Sequence, residues 1–275
     1  DHYCLHFYTA YHVSVLLMKN EVTIMKITGL EIIPASKYLF IRINTDEGIH
    51  GTGEAGAWGF LDGVEGVLRR FESYLLGKNP FQIEHHWNYL YRSMYFRGSV
   101  IMSALSAIDI ALWDLLGKIC HMPVYKLLGA CSDMVPSYAS GGFYAPGKGI
   151  DGLRAELEGY MEKGYQDAKI KIGRNLDRPG SPLCYMANQE CSVTVEEDIR
   201  RMETAREVLG TGRLIVDTNA SWDSYTAIQA GQELHRLGVC WLEEPVPFED
   251  LEGMQRISRE LPPILVAGCE TQQGL

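Results

Sequence analysis

The sequence predicts an α/β protein: an α+β domain followed by a parallel barrel or doubly wound sheet. Three observations predict it. Strand patterns near the start give way to a block of helical patterns. After Gly129 the rhythm changes to repeated strand–helix units with short apolar strands, the pattern of a parallel sheet covered by helices. Three of those apolar runs end in a carboxylate at an even beat. Asp217 closes one, Glu243 the next, and Glu270 follows the third, with gaps of 26 and 27 residues. That spacing is about one strand-loop-helix-loop unit, so three successive parallel strands each carry an acid at the end.

Taken in order, residues 1–24 carry His2, His6 and His12 and a short apolar patch but no basic start or small-residue cleavage site. They are read as an extension of unknown purpose before Met25, and the histidines as strays on a terminus, not a metal tract. Lys26–Ile33 and Tyr38–Asn44 read as strands. Asp46, Glu47 and Gly48 supply a turn, and Ile49–Glu54 returns. Helical patterns follow at Gly63–Leu76, Phe81–Tyr95 and Ser99–Lys118; the last repeats Ile101, Ala104, Leu105, Ile108, Leu112, Leu115 and Leu116 on one face. In the second half, strands are expected at Ser137–Phe143, Ala168–Ile172, Leu214–Val216, Cys240–Leu242 and Ile264–Ala267. Helices are expected at Gly152–Lys163, Thr194–Leu209, Tyr225–Leu237 and Leu251–Glu260, with Thr194 and Glu197 as a capping box. Residues 173–192 form a long connection with Pro179, Gly180 and Pro182, and loops of that length at a strand end are usually functional.

In a parallel α/β barrel the strand ends meet at one mouth, where active sites of this architecture sit. Three like charges converging there repel unless a cation is shared. All-oxygen donors suit a hard divalent ion such as Mg²⁺. On the preceding strand, Lys169 and Lys171 point to the same side. Lys-x-Lys on a strand is ordinarily a solvated pair. Beside three carboxylates it points to a lysine held partly neutral for proton transfer.

Net charge is −10 and basic residues do not cluster, which argues against nucleic acid and anionic membrane surfaces as partners. Seven scattered cysteines without a CxxC argue for reduced thiols in a cytoplasmic protein. No apolar run is expected to span a bilayer.

The helix Ala104–Lys118 resembles the signature of the mandelate racemase/muconate lactonizing branch of the enolase superfamily. Residues 216–219, 241–245 and 267–270 are similar to its three metal-ligand motifs, and Lys169–Lys171 to its lysine motif. The order and spacing agree from Met25 to the end. The resemblance implies an α+β capping domain, residues 25–135, over a modified (β/α)₇β barrel, residues 136–275. It implies Mg²⁺ on Asp217, Glu243 and Glu270, and removal of the proton α to a carboxylate through an enediolate. Lys171 matches the base and Lys169 the neighbour that tunes it. Asn219 matches a polar position near metal and substrate. Trp58 falls on the loop that the capping domain sends over the mouth. A homo-oligomer acting on a small carboxylate is expected.

A closed barrel needs eight strands and five are counted. The expectation is therefore a natural protein extending about 90 to 120 residues past Leu275, with the family's acid/base His and its Asp partner on those later strands. A chain ending at Leu275 is expected to have no turnover. The leading function is dehydration of a sugar acid. A racemase or epimerase of a 2-hydroxy acid is the alternative, and a non-catalytic metal-binding scaffold is a third. Other candidates have ordinary readings. Glu244 faces away from its neighbour Glu243. Asp109 and Asp114 form hydrogen bonds between domains, and His85 and His86 lie at the surface. His121 meets carbonyls at a helix end. Cys184 and Cys191 lack an activating neighbour.

Overall fold

The computed structural model describes residues 24–56, 60–173, 193–261 and 263–273. The calls on His2, His6, His12, Trp58, Cys184 and Cys191 fall outside them.

The first part is a three-stranded antiparallel sheet, β1 (Ile27–Ala35), β2 (Tyr38–Thr45) and β3 (His50–Ala55), in that order. It is followed by α1 (Leu61–Leu75), α2 (Ile83–Ser93), α3 (Ser99–Ile119) and the short α4 (Val124–Leu127), which the sequence reading did not anticipate. Leu39, Ile41 and Ile43 alternate into the core from β2, as a half-buried strand requires. They meet Ala104, Leu105, Ala107, Ile108, Ala111 and Leu112 of α3. The approach is close enough to exclude side chains on β3. A Cβ on Gly51 would lie 1.9 Å from the Ala111 carbonyl oxygen, and one on Gly53 2.0 Å from that of Ala107.

α3 corrects one expectation. It is 21 residues long with a mean hydropathy of 1.7, enough by length and composition to cross a membrane. Its apolar face is spent on the sheet instead. Asp114 also departs from its reading. It does not bridge domains, but accepts the Thr52 amide at 2.7 Å and pairs with Lys118 at 2.6 Å, all within this first part. His86 is fully buried, not at the surface. Its ring joins the Asn79 carbonyl at 2.8 Å to the Tyr74 hydroxyl at 3.0 Å. His121 ends α3 through its backbone: it takes a left-handed φ of 50°, and its amide donates to the Lys118 carbonyl.

The second part holds five parallel strands in sequence order, β4 (Ala139–Gly141), β5 (Ala168–Lys171), β6 (Leu214–Asp217), β7 (Val239–Glu243) and β8 (Leu265–Ala267). The intervening helices are α5 (Ile150–Glu162), α6 (Val195–Leu209), α7 (Ser224–Arg236) and α8 (Leu251–Glu260). A doubly wound sheet reverses its strand order at a switch point. Here the order never reverses, which is the barrel arrangement. Thr194 caps α6 in the expected capping box with Glu197. The core lies between sheet and helices, from Ile170, Val216 and Leu242 out to Leu157, Met202, Ala227 and Ile257. On the opposite, interior face, Lys171 pairs in register with Asp217, Asp217 with Glu243, and Glu243 with Ala267.

Candidate metal and proton-transfer site

That register row builds the site. Parallel strands bring equivalent residues side by side, and an inward side chain on each of three neighbours must meet at one level. Asp217 is completely buried, and oxygens of Asp217, Glu243 and Glu270 all lie within 4.8 Å of one another. Glu270 sits three residues beyond β8, after Cys269 in a left-handed φ of 73°.

The two lysines join the same cluster. Each side chain is only 12% exposed, so neither is a solvated edge lysine. Lys169 Nζ lies 2.6 Å from Glu243 Oε1 and 3.4 Å from Asp217 Oδ2, while Lys171 Nζ donates to Asp217 Oδ2. Tyr138 and Phe143, on either side of β4, lie over the ammonium groups, with ring centroids 5.9 Å from Lys169 Nζ and 6.0 Å from Lys171 Nζ.

Burial works to depress the Lys169 ammonium, but its hydrogen bond to Glu243 and the charges of Asp217 and Glu243 outweigh burial and hold it above the ordinary lysine value. Lys169 is thus held charged by its carboxylate neighbours. Glu243 is pushed up by burial, against the pull of Lys169, and further by Asp217.

Three backbone devices aim these groups. The Asn219 amide donates to Asp217 Oδ1 at 2.9 Å, from a residue only 4% exposed at φ 48°. Asn219 thus holds the ligand by its main chain. Glu244, missed as a site residue, leaves the strand at φ 42°. Strand alternation correctly keeps it out of the triad. It turns inward regardless, because β7 ends at Glu243 and the next residue is left-handed. Its Oε1 accepts the Glu270 amide at 2.9 Å, and its carbonyl accepts the Thr218 hydroxyl at 2.6 Å and the Ala220 amide at 2.7 Å. Burial, and then the charge of Glu270, pushes the Glu244 carboxyl up. The tandem Glu243-Glu244 was the available signal.

The donor set fits a divalent cation. It is all oxygen, and the acids Asp217, Glu243, Glu244 and Glu270 outnumber the two lysines beside them. A carboxylate oxygen that accepts a hydrogen bond keeps a lone pair for a metal.

The comparisons with known proteins agree with this geometry. Residues 13–129 match the mandelate racemase/muconate lactonizing enzyme N-terminal domain, and residues 152–275 the enolase C-terminal domain-like family. The chain belongs to the mandelate racemase/muconate lactonizing enzyme family of the enolase superfamily. The first match begins at residue 13, inside the segment set apart as an extension. The chain is similar to an arabinonate dehydratase of Saccharolobus solfataricus, 32% identical over 84% of this chain and 58% of the relative. It is 31% identical to a D-mannonate dehydratase of Caulobacter vibrioides, over 86% of this chain and 62% of that one. Among solved structures it resembles a mandelate racemase/muconate lactonizing protein of Paracoccus denitrificans complexed with magnesium. The TM-score is 0.76 at 28% identity, covering 90% of this chain and 66% of the other. The chain therefore spans about three fifths of the length of the curated relatives it matches.

Proposed function

We propose that this protein dehydrates a sugar acid, using Mg²⁺ held by Asp217, Glu243 and Glu270. The observation that carries the reading is the row Lys171, Asp217, Glu243 across three neighbouring strands, with Glu270 completing the set. Similarity to relatives named for arabinonate and mannonate dehydration favours an acid sugar and a lyase over a racemase.

Lys171 takes the proton α to the substrate carboxylate onto its Nζ; the C–H electron pair moves into the carboxylate as an enediolate and then returns to form the new double bond as the β hydroxyl leaves as water, protonated by a second acid group. Magnesium held there would supply positive charge against the substrate carboxylate oxygens as negative charge develops on them. Lys169 tunes Lys171. Asn219 and Trp58 contact the substrate. The protein works as a homo-oligomer in the cytoplasm, a setting consistent with free thiols at Cys120, Cys131, Cys240 and Cys269.

The test is exchange of the α proton of acid sugars in deuterated water with Mg²⁺. Exchange in wild type and its abolition in Lys171→Ala are expected, with metal binding retained. Exchange at the wild-type rate in Lys171→Ala removes this lysine from the chemistry.

A further inference from the structure

The strand ends of β4 and β5 are held from behind by charged side chains that the chemistry above does not use. Asp198, in the first turn of α6, is fully buried. Its Oδ2 accepts the Gly173 amide at 2.8 Å, and its Oδ1 accepts the Tyr144 hydroxyl. One turn on, Arg201 is also buried. It donates to the Gly142 carbonyl, its Nε lies 3.9 Å from Asp198 Oδ1, and its guanidinium stacks 4.2 Å from the Tyr144 ring. From α5, Glu156 accepts the Gly142 amide at 3.1 Å and is paired with Lys148, which donates to the Phe143 carbonyl at 2.7 Å.

Two of the residues held this way lie next to Lys171. Gly173 is two residues beyond it, and Phe143 lies over its ammonium. Gly173 has φ 88°, and a Cβ there would come 2.2 Å from Ser221 Oγ. The end of β5 is thus pinned between Asp198 on one side and the β6 loop on the other. A buried ion pair is a poor way to gain stability, since an apolar pair of similar volume does as well or better. Burial pushes the Asp198 carboxyl up to about 6, a measure of what its charge costs there. Stability alone does not account for the pair.

We propose that Asp198, braced by Arg201, is a positioning residue that fixes the end of β5 and so holds Lys171 Nζ at the reacting carbon. The proposal rests on Lys171 being the proton-abstracting base. Displacing a catalytic group by about 1 Å costs roughly a hundredfold in rate. Asp198→Ala should therefore lower the maximal rate of α-proton exchange about a hundredfold with KM changed less than about threefold. Asp198→Asn retains an acceptor for the Gly173 amide and should recover most of that loss. Should Asp198→Ala fail to fold, Arg201→Lys, which keeps a charge beside Asp198 but loses the reach to Gly142, should lower the same rate about tenfold. A further readout needs no turnover: amide hydrogen exchange of the peptide spanning 168–173 should quicken in Asp198→Ala and stay slow in Asp198→Asn. If wild type exchanges no α proton, the proton-abstraction reading fails, and this amide readout alone decides whether Asp198 fixes the strand end. Unchanged protection in Asp198→Ala overturns the proposal. So do equal losses in the Ala and Asn variants, or a loss confined to KM.

Discussion

The two ends of the five-stranded sheet are built to opposite rules. At the end where the strands begin, one side chain satisfies a ring of carbonyls. Arg206 donates to Leu237, Gly210, Gly212 and Gly238 at 2.7 to 2.9 Å. Left-handed turns at that end fall on Gly164, Gly210 and Gly238, where no Cβ is strained. At the end where the strands finish, like charges crowd together. Left-handed conformations fall on Asn219, Ala220, Glu244 and Cys269 as well as on Gly142 and Gly173, and among the described residues Ser221 Oγ and the Trp222 indole nitrogen are buried without partners. Residues held in costly conformations persist where the surrounding fold over-determines them, and they cluster at functional sites. In barrels the first end serves stability and the second serves chemistry. This sheet divides its polar groups in the same way.

Substitutions should separate the two ends. The largest effect is expected from Arg206→Ala, which strips four carbonyls of their donor. Unfolding in urea should show a loss on the order of 3 kcal/mol, while the folded variant still responds to Mg²⁺. A loss of the metal response would show that the ends are not independent. Next comes the metal itself. At a hundredfold excess over its Kd, Mg²⁺ should stabilise wild type by about 2.7 kcal/mol in thermal melts, and Glu243→Gln should abolish the shift. An equal shift in that variant places the cation elsewhere.

A pH effect of similar size belongs to Asp198. Its carboxyl is raised to about 6 in the folded protein from an ordinary value of 3.8, chiefly by burial. A raised acid adds stability that is fully present below its unfolded value and is lost as pH rises through its folded one. Wild type should therefore gain about 2 kcal/mol relative to Asp198→Asn between pH 7 and pH 4. A difference that is flat over this window means that Asp198 titrates normally. The smallest and sharpest comparison pairs Ala220→Gly with Gly164→Ala, where an added Cβ meets open space. The first relieves a left-handed alanine at the mouth and should stabilise by about 1 kcal/mol; the second creates one at the other end and should cost about the same.

The elements were legible because their signals are local. Periodicity marks α3, a capping box marks the start of α6, and the apolar runs place the strands, although β4 is Ala139–Gly141 where Ser137–Phe143 is expected. The triad was legible because a repeat of strand units converts a sequence interval into a position around a mouth. What the sequence did not reveal depends on backbone geometry. Glu244 reaches the site by leaving the strand at a left-handed residue, which alternation does not describe. His86 reads as half of an exposed pair until the turn at Asn79 folds beneath it. Asp198 and Arg201 look like ordinary charges on a helical face, because their partners are main-chain groups of Gly173 and Gly142, far away in sequence. The direction of the Lys169 shift needed distances, since the same residue is pulled one way by burial and the other by two carboxylates.

The one-strand-at-a-time layout of the site also sets the order of its birth on the ribosome. Lys169 and Lys171 emerge first, then Asp217, then Glu243 after 26 residues and Glu270 after another 27. At synthesis rates of roughly 5 to 20 residues per second, a new ligand arrives every one to five seconds or so. The lysines are therefore waiting when Asp217 and Glu243 appear, and each of those carboxylates meets a resident counter-charge at once. The triad of acids is complete only when Glu270, the last of them, has been made.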